Sequence, residues 1–252
     1  MKNIFYVSFL FLGLTFFSNA ATRGDVMIIE ASEDIRFLSQ KMVKDYLFMY
    51  KNPQKRELKD ELTTSLDALG EKFRMIATTT KDGDTKDILE FLAYSKDQIA
   101  LIFSEKINEE QSALMLDYSE TLLEGADSIA SGHSYDVSEE EKMLITIKRM
   151  EYLLERITKY YMAVNAGFKT TTNKEQMKDS IHEFEESLVK VNLYDYPYEL
   201  VRERSKVNKL WKMNKVFFDK ADTLFIPNLL VNSIQYLENV MDKISLYHSK
   251  NQ

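Results

Sequence analysis

The sequence predicts an all-α fold, two tandem up-down four-helix bundles following a cleaved signal peptide. Three observations predict it. Glycine and proline are scarce, 7 and 3 in 252 residues, which disfavours a turn-dense β chain and favours long helices. Apolar residues from Asp25 onward recur at steps of three, four and seven, the period of one buried helix face. The pattern also repeats: Phe37, Leu38, Met42 and Tyr46 stand 115 residues before Tyr152, Leu153, Ile157 and Tyr161.

Residues 1–20, MKNIFYVSFLFLGLTFFSNA, read as a signal peptide. Lys2 gives a short positive start, Ile4 to Phe17 an apolar stretch, and Ser18-Asn19-Ala20 a small-residue cleavage site. An uncleaved anchor is the alternative, but the apolar run has 14 residues and a span needs about 20. The mature chain is therefore expected to begin at Ala21 and to be periplasmic, and no later apolar run has membrane length.

The first bundle is expected within residues 21–133. Its first helix carries Ile28, Ala31, Ile35, Leu38, Met42 and Met49 on one face. Asn52-Pro53 breaks it, with Asn52 as a candidate cap and Pro53 at the first position of the next helix. That second helix runs to about Thr78 through Leu58, Leu62, Leu66, Leu69, Phe73 and Ile76. A polar loop around Gly83 leads to a third helix, Asp84 to about Lys106, with Ile88, Leu92, Ile99 and Ile102. The fourth spans Asn108 to about Ala130, and SGHSYDV closes the unit.

The second bundle is expected within residues 138–252. Ser138 and Glu141 have the spacing of a capping box, opening a helix to about Asn165. Thr172 and Glu175 repeat that spacing for a helix to about Val191. Pro197 starts a helix through Trp211 to about Lys220, and Pro227 starts the last, ending near His248. Leu122, Asp127 and Ile129 again precede Leu237, Asp242 and Ile244 by 115 residues, while Leu58, Leu62 and Leu69 precede Met177, Ile181 and Leu188 by 119. Offsets shared at both ends of a unit indicate duplication. One long irregular helical domain is the alternative.

Composition excludes several functions. The net charge is −7 with no long basic run, so the chain lacks the electrostatic footprint of nucleic-acid binding. It has no cysteine, hence no disulfide, thiol nucleophile, cysteine metal site or lipidated cysteine. No phosphate-cradling glycine loop, nucleophile elbow or zinc-protease helix is present. His133, His182 and His248 lie in a linker, a helix and a tail. His182 with Glu185 and Glu186 comes nearest to a ligand spacing, and reads as a solvated helix face. The expectation is a non-enzyme without cofactor or metal.

One polar residue stands out. Ile29, Arg36, Val43 and Tyr50 fall on one line of the first helix, beside the core line Ile28, Ile35, Met42 and Met49. A guanidinium on that flank either pairs with Glu33 three residues back, or offers a planar set of donors to a small anion.

The stretch IRFLSQKMVKDYL resembles the R-M-L-S-Q-R-M/I motif that opens the first helix of the PilJ-like periplasmic sensor domain. That domain stands at the N-terminus of type IV pilus chemotaxis transducers and is similar to the nitrate-sensing domain of NarX-type histidine kinases. LLEGADSIA, Leu122 to Ala130, resembles the end of its fourth helix. The resemblance implies a four-helix sensory unit that reports a small anion, nitrate or nitrite, to a membrane chemoreceptor or histidine kinase. It implies ligand-binding roles for Arg36 and Lys41 and a homodimer packed through the first helix.

The sequence departs from the family in three ways. Ser32-Glu33-Asp34-Ile35 is acidic and bulky where the family has small residues, and Glu151 occupies the place of Arg36 in the second copy. The family's membrane helices and output module are not expected here. The competing function is a non-catalytic helical interaction module that docks an envelope or pilus-associated partner.

Overall fold

The computed structural model describes residues 23–55, 57–133 and 137–251, and among these lie eight α-helices and no strand. They are α1 (Arg23–Lys51), α2 (Glu57–Thr79), α3 (Gly83–Ser104), α4 (Glu109–Gly132), α5 (Glu139–Ala166), α6 (Thr171–Leu193), α7 (Tyr198–Asp219) and α8 (Pro227–Lys250). The expected signal peptide and its cleavage site lie outside the described residues. No helix among the described residues is long and apolar enough to cross a membrane.

Most helix ends follow from local chemistry. Asn108 caps α4 through a bond from the Gln111 amide, and Ser138 and Glu141 form the expected reciprocal box at α5. Gly167 ends α5 at φ 114°, a conformation that needs glycine. Pro227 occupies the first turn of α8, where its missing N–H costs nothing.

Two caps differ from expectation. Asn52 does not start α2. It closes α1, donating its side-chain amide to the Phe48 carbonyl at 2.9 Å, and α2 begins only at Glu57. The α6 cap is Thr170 rather than Thr172, because the Thr170 hydroxyl reaches the Asn173 amide at 3.1 Å. His248 is no tail residue either. It sits in α8 and is fully buried.

The apolar stripes face inward. All six stripe residues of α2 are buried, as are Ile28, Ile35 and Met42 of α1 and Leu92, Ile99 and Ile102 of α3. Long-range bonds give the directions. Tyr46 to Gln111, Gln40 to Ser119 and His133 to Asp25 run α1 against α4, antiparallel. Lys41 to Glu61 and Asp34 to Lys72 run α1 against α2, also antiparallel. In the second half Arg156 to Gln176 and Arg149 to Glu183 set α5 against α6, and Glu140 to His248 sets it against α8. α3 touches α2 and α4, and α7 touches α8 and, more lightly, α6. At Gly125 of α4 a Cβ would come within 2.5 Å of Leu92, so glycine permits the close approach of α3.

Among the described residues, the most extensive helix pairing joins the halves, α1 along α5. It is parallel, with Asp34 on Lys148 and, further along both helices, Lys44 on Glu155. α5 suits this central place because Tyr160, Tyr161, Met162, Ala163 and Val164 are buried in succession, so the helix is covered on every side. This bears on the expected homodimer through the first helix. α1 packs against α2, α4 and α5 of its own chain, so a second copy that used the face covered by α5 would have to displace it.

Candidate functional site

Arg36 is held by two carboxylates. Its Nη1 donates to Glu33, and its Nη2 lies 2.5 Å from Asp127 at the far end of α4. Only Nε, which is buried, lacks a partner. Glu33 is 3% exposed, and burial raises its carboxyl pKa while the charge of Arg36 acts the other way. The local pairing that the i−3 spacing suggested is thus present, with a tertiary carboxylate added.

Lys41 belongs to a different group. It binds Asp45 at 2.6 Å and Glu61 at 3.4 Å. Burial, the largest single effect, would lower its pKa, but the charges of Asp45 and Glu155 and the hydrogen bond to Asp45 together raise it. The two residues expected to share a ligand therefore serve separate ion pairs.

A larger polar cluster lies where α1, α5 and α8 meet. Lys44 is 6% exposed and reaches Glu155, which is fully buried, at 2.8 Å. Burial would depress the lysine, yet Asp45, Glu155 and Glu238 together hold its pKa up. Lys148 binds Asp34 at 2.7 Å. Carboxylates exceed these cations. Burial, with Asp242 nearby, pushes Glu151 up to about 8, and burial beside Glu155 pushes Glu238 well above the usual carboxylate range. Oε1 of Glu151, Oε1 of Glu238 and Oε2 of Glu33 are buried without a hydrogen-bond partner.

Two cavities open along this junction. One, of about 350 Å³, is lined by Glu33, Asp34, Lys148, Glu151, Glu238 and Asp242 among others. The other, of about 180 Å³, is lined by Lys41, Lys44, Asp45 and Glu155. They share Gln235 and Glu238, so they form neighbouring parts of one groove.

The opposite side of the α1–α5 pair, facing α4, gathers two cations on one carboxylate instead. Lys159 is fully buried and binds Ser119 Oγ at 3.0 Å and the Glu120 carboxylate, which also takes Arg156 at 2.8 Å. Burial lowers Lys159 to about 8, with Glu120 opposing. The two sides are related by the 115-residue offset. Lys44 on Glu155 has as its counterpart Gln40 and Lys159, which meet on Ser119. Asp34 on Lys148 has as its counterpart Glu33 under the charge of Arg149.

Sequence reasoning passed over Lys44, Glu155 and Glu238. A signal was there. Glu151 and Glu155 on α5, and Glu238 and Asp242 on α8, place like charges four apart. That spacing is unfavourable unless cations stand opposite. Comparison with known proteins finds no matching family model, no matching curated protein and no matching solved structure.

Proposed function

We propose that the chain is an exported, periplasmic, non-catalytic sensory module made of a duplicated up-down four-helix bundle. The copies span residues 21–133 and 138–252 and are fused along α1 and α5. The duplication is supported by bonds as well as by sequence offsets: Asp25 binds His133, and Glu140 binds His248, each pair 108 residues apart. In the PilJ-like sensors that the first helix resembles, two subunits pack through that helix. Here α5 takes the place of the second subunit.

The observation that carries the sensory reading is the polar groove between α1, α5 and α8. A ligand there touches both copies at once, so binding is coupled to how they pack, and a membrane receptor can read that packing. An anion at Arg36 has less support, because nitrate would have to displace Asp127 from Nη2. Thermal unfolding of the mature chain with nitrate, nitrite and small organic cations tests the reading. A ligand at a hundred times its dissociation constant adds about 2.7 kcal/mol. No shift with any of them would overturn it.

A second reading, docking of an envelope or pilus-associated partner, is favoured by one feature. Val189, Leu193 and Tyr198 are exposed by 56%, 81% and 90%. Leu193 also lines an open cavity of about 550 Å³ with Val137, Met143, Ile145 and Tyr194. Apolar side chains grouped at one end of the second half suit a protein contact. Leu193→Asp should abolish capture of the partner without changing the melting temperature.

A further inference from the structure

We propose that the groove between α1, α5 and α8 binds a linear organic diamine or polyamine, whose ammonium groups pair with Glu151 and Glu238. The inference rests on the ligand-binding reading above and gives it a chemical class.

The groove carries more acid than base. Its larger cavity is lined by five carboxylates, Glu33, Asp34, Glu151, Glu238 and Asp242, against one lysine, Lys148. Lys148 is already bound to Asp34, which Lys72 also binds, and Glu33 is bound to Arg36, so the surplus acids are Glu151, Glu238 and Asp242. Three of the five carboxylates keep a buried oxygen with no partner, and one of them, Glu33, is 3% exposed. Buried acceptors of this kind are costly unless a donor arrives. The groove therefore asks for cationic N–H donors.

Shape selects among cations. No three histidine, aspartate or glutamate side chains among the described residues gather closely enough to hold a metal ion. The carboxylates are instead spread along the groove. Glu151 and Asp242 lie on the larger cavity, while Glu238 lies on both cavities and reaches the smaller one beside Glu155. Spaced carboxylates suit spaced ammonium groups joined by a flexible chain. The apolar stems of Phe37 and Val231, one in each cavity, give its methylenes a surface.

The duplication argues the same way. Glu151 stands where the first copy has Arg36, so the charge of that position is reversed. Arg36 draws two carboxylates, Glu33 and Asp127, so a carboxylate at the copied position suits a cationic partner. Burial and Asp242 hold Glu151 protonated up to about pH 8, with Asp34 adding to this and Lys148 opposing. An arriving ammonium group would drive the proton out, so binding should release protons at neutral pH and tighten as pH rises.

Calorimetric titration of the mature chain with putrescine and spermidine, at fixed ionic strength, tests this. One saturable site per chain is expected, with a dissociation constant below ~1 mM and proton release visible in buffers of different ionisation heat. Glu151→Gln and Glu238→Gln should each weaken binding at least tenfold, while Glu109→Gln, on the exposed start of α4, should not. Unsaturable binding, or equal binding by all variants, would reduce the effect to general attraction to an acidic chain and overturn the proposal. Stabilisation by nitrate with none by amines would overturn the amine class and leave the sensory reading standing. Silence from both would remove the two together.

Discussion

His248 repeats, 115 residues later, the bond that His133 makes. The Nδ1 of His133 meets Asp25 at 3.0 Å, and the Nδ1 of His248 meets Glu140 at 2.6 Å. In each half this bond ties the last helix back to the first turn of the first. The environments differ. His133 keeps 9% of its side chain exposed and turns Nε2 to Thr85 at 3.1 Å, whereas His248 is fully buried and turns Nε2 to Tyr196 at 3.0 Å.

Burial makes the second clasp the more costly to lose. His248→Ala removes a packed ring between Tyr194, Tyr196 and Tyr247 and leaves the Tyr196 hydroxyl without its partner. A loss of about 2–3 kcal/mol is expected. His133→Ala should cost about 1 kcal/mol or less. Urea unfolding of both variants checks the order, and equal losses would mean that the clasps are energetically equivalent.

Lys44 and Glu155 form a buried pair between the halves. Removing one partner strands the other, since Glu155 has no exposed surface. Lys44→Met should therefore destabilise the protein by about 3–5 kcal/mol. Adding Glu155→Leu should recover most of that loss, because two apolar side chains of similar volume replace a pair whose desolvation offsets its attraction. A double variant no better than the single would show that Lys44 acts chiefly on Asp45 or Glu238.

Arg36→Ala leaves the buried Glu33 without its nearest cation, and Asp127 without a partner on α1. A loss of about 1–3 kcal/mol is expected without any ligand present. Glu33→Gln in the same chain should return part of it. Unchanged stability in Arg36→Ala, combined with loss of a nitrate-induced rise in melting temperature, would instead mark the arginine as an anion-binding residue.

Much of this was legible in the sequence for a physical reason. Helix stripes such as Leu58, Leu62, Leu66, Leu69, Phe73 and Ile76 are periodic because each helix buries one face. Caps such as Ser138 with Glu141 are local, so spacing reveals them. Asn52 misled because asparagine before proline marks a chain break without saying which helix it serves. Arg36 with Glu33 could be read from an i−3 spacing, but Asp127 is 91 positions away and needs α4 alongside. The acidic groove was the least visible part. Its members come from three helices, and only the like-charge pairs on α5 and α8 hinted that something stood opposite.

Glu151 sets the last expectation, a dependence of stability on pH. Its neighbours are Asp34 from α1, Lys148 from its own helix, and Asp242 and Glu238 from α8. Burial and the acids raise its folded pKa from 4.5 to about 8, with Lys148 pulling the other way. An acid raised in this way holds its proton more tightly folded than unfolded. Its contribution is fully present below the unfolded value near 4.5 and is lost as pH rises through about 8. Glutamine at this position behaves as the protonated form at every pH. Glu151→Gln and wild type should therefore match near pH 4.5, and the variant should gain a relative advantage that grows to roughly 1–3 kcal/mol by about pH 9. Other groups titrate over the same range, so the difference between the two unfolding curves is the quantity to follow. A constant difference from acid to alkaline pH would mean that Glu151 titrates alike folded and unfolded, with Lys148 offsetting burial and the acids of α8.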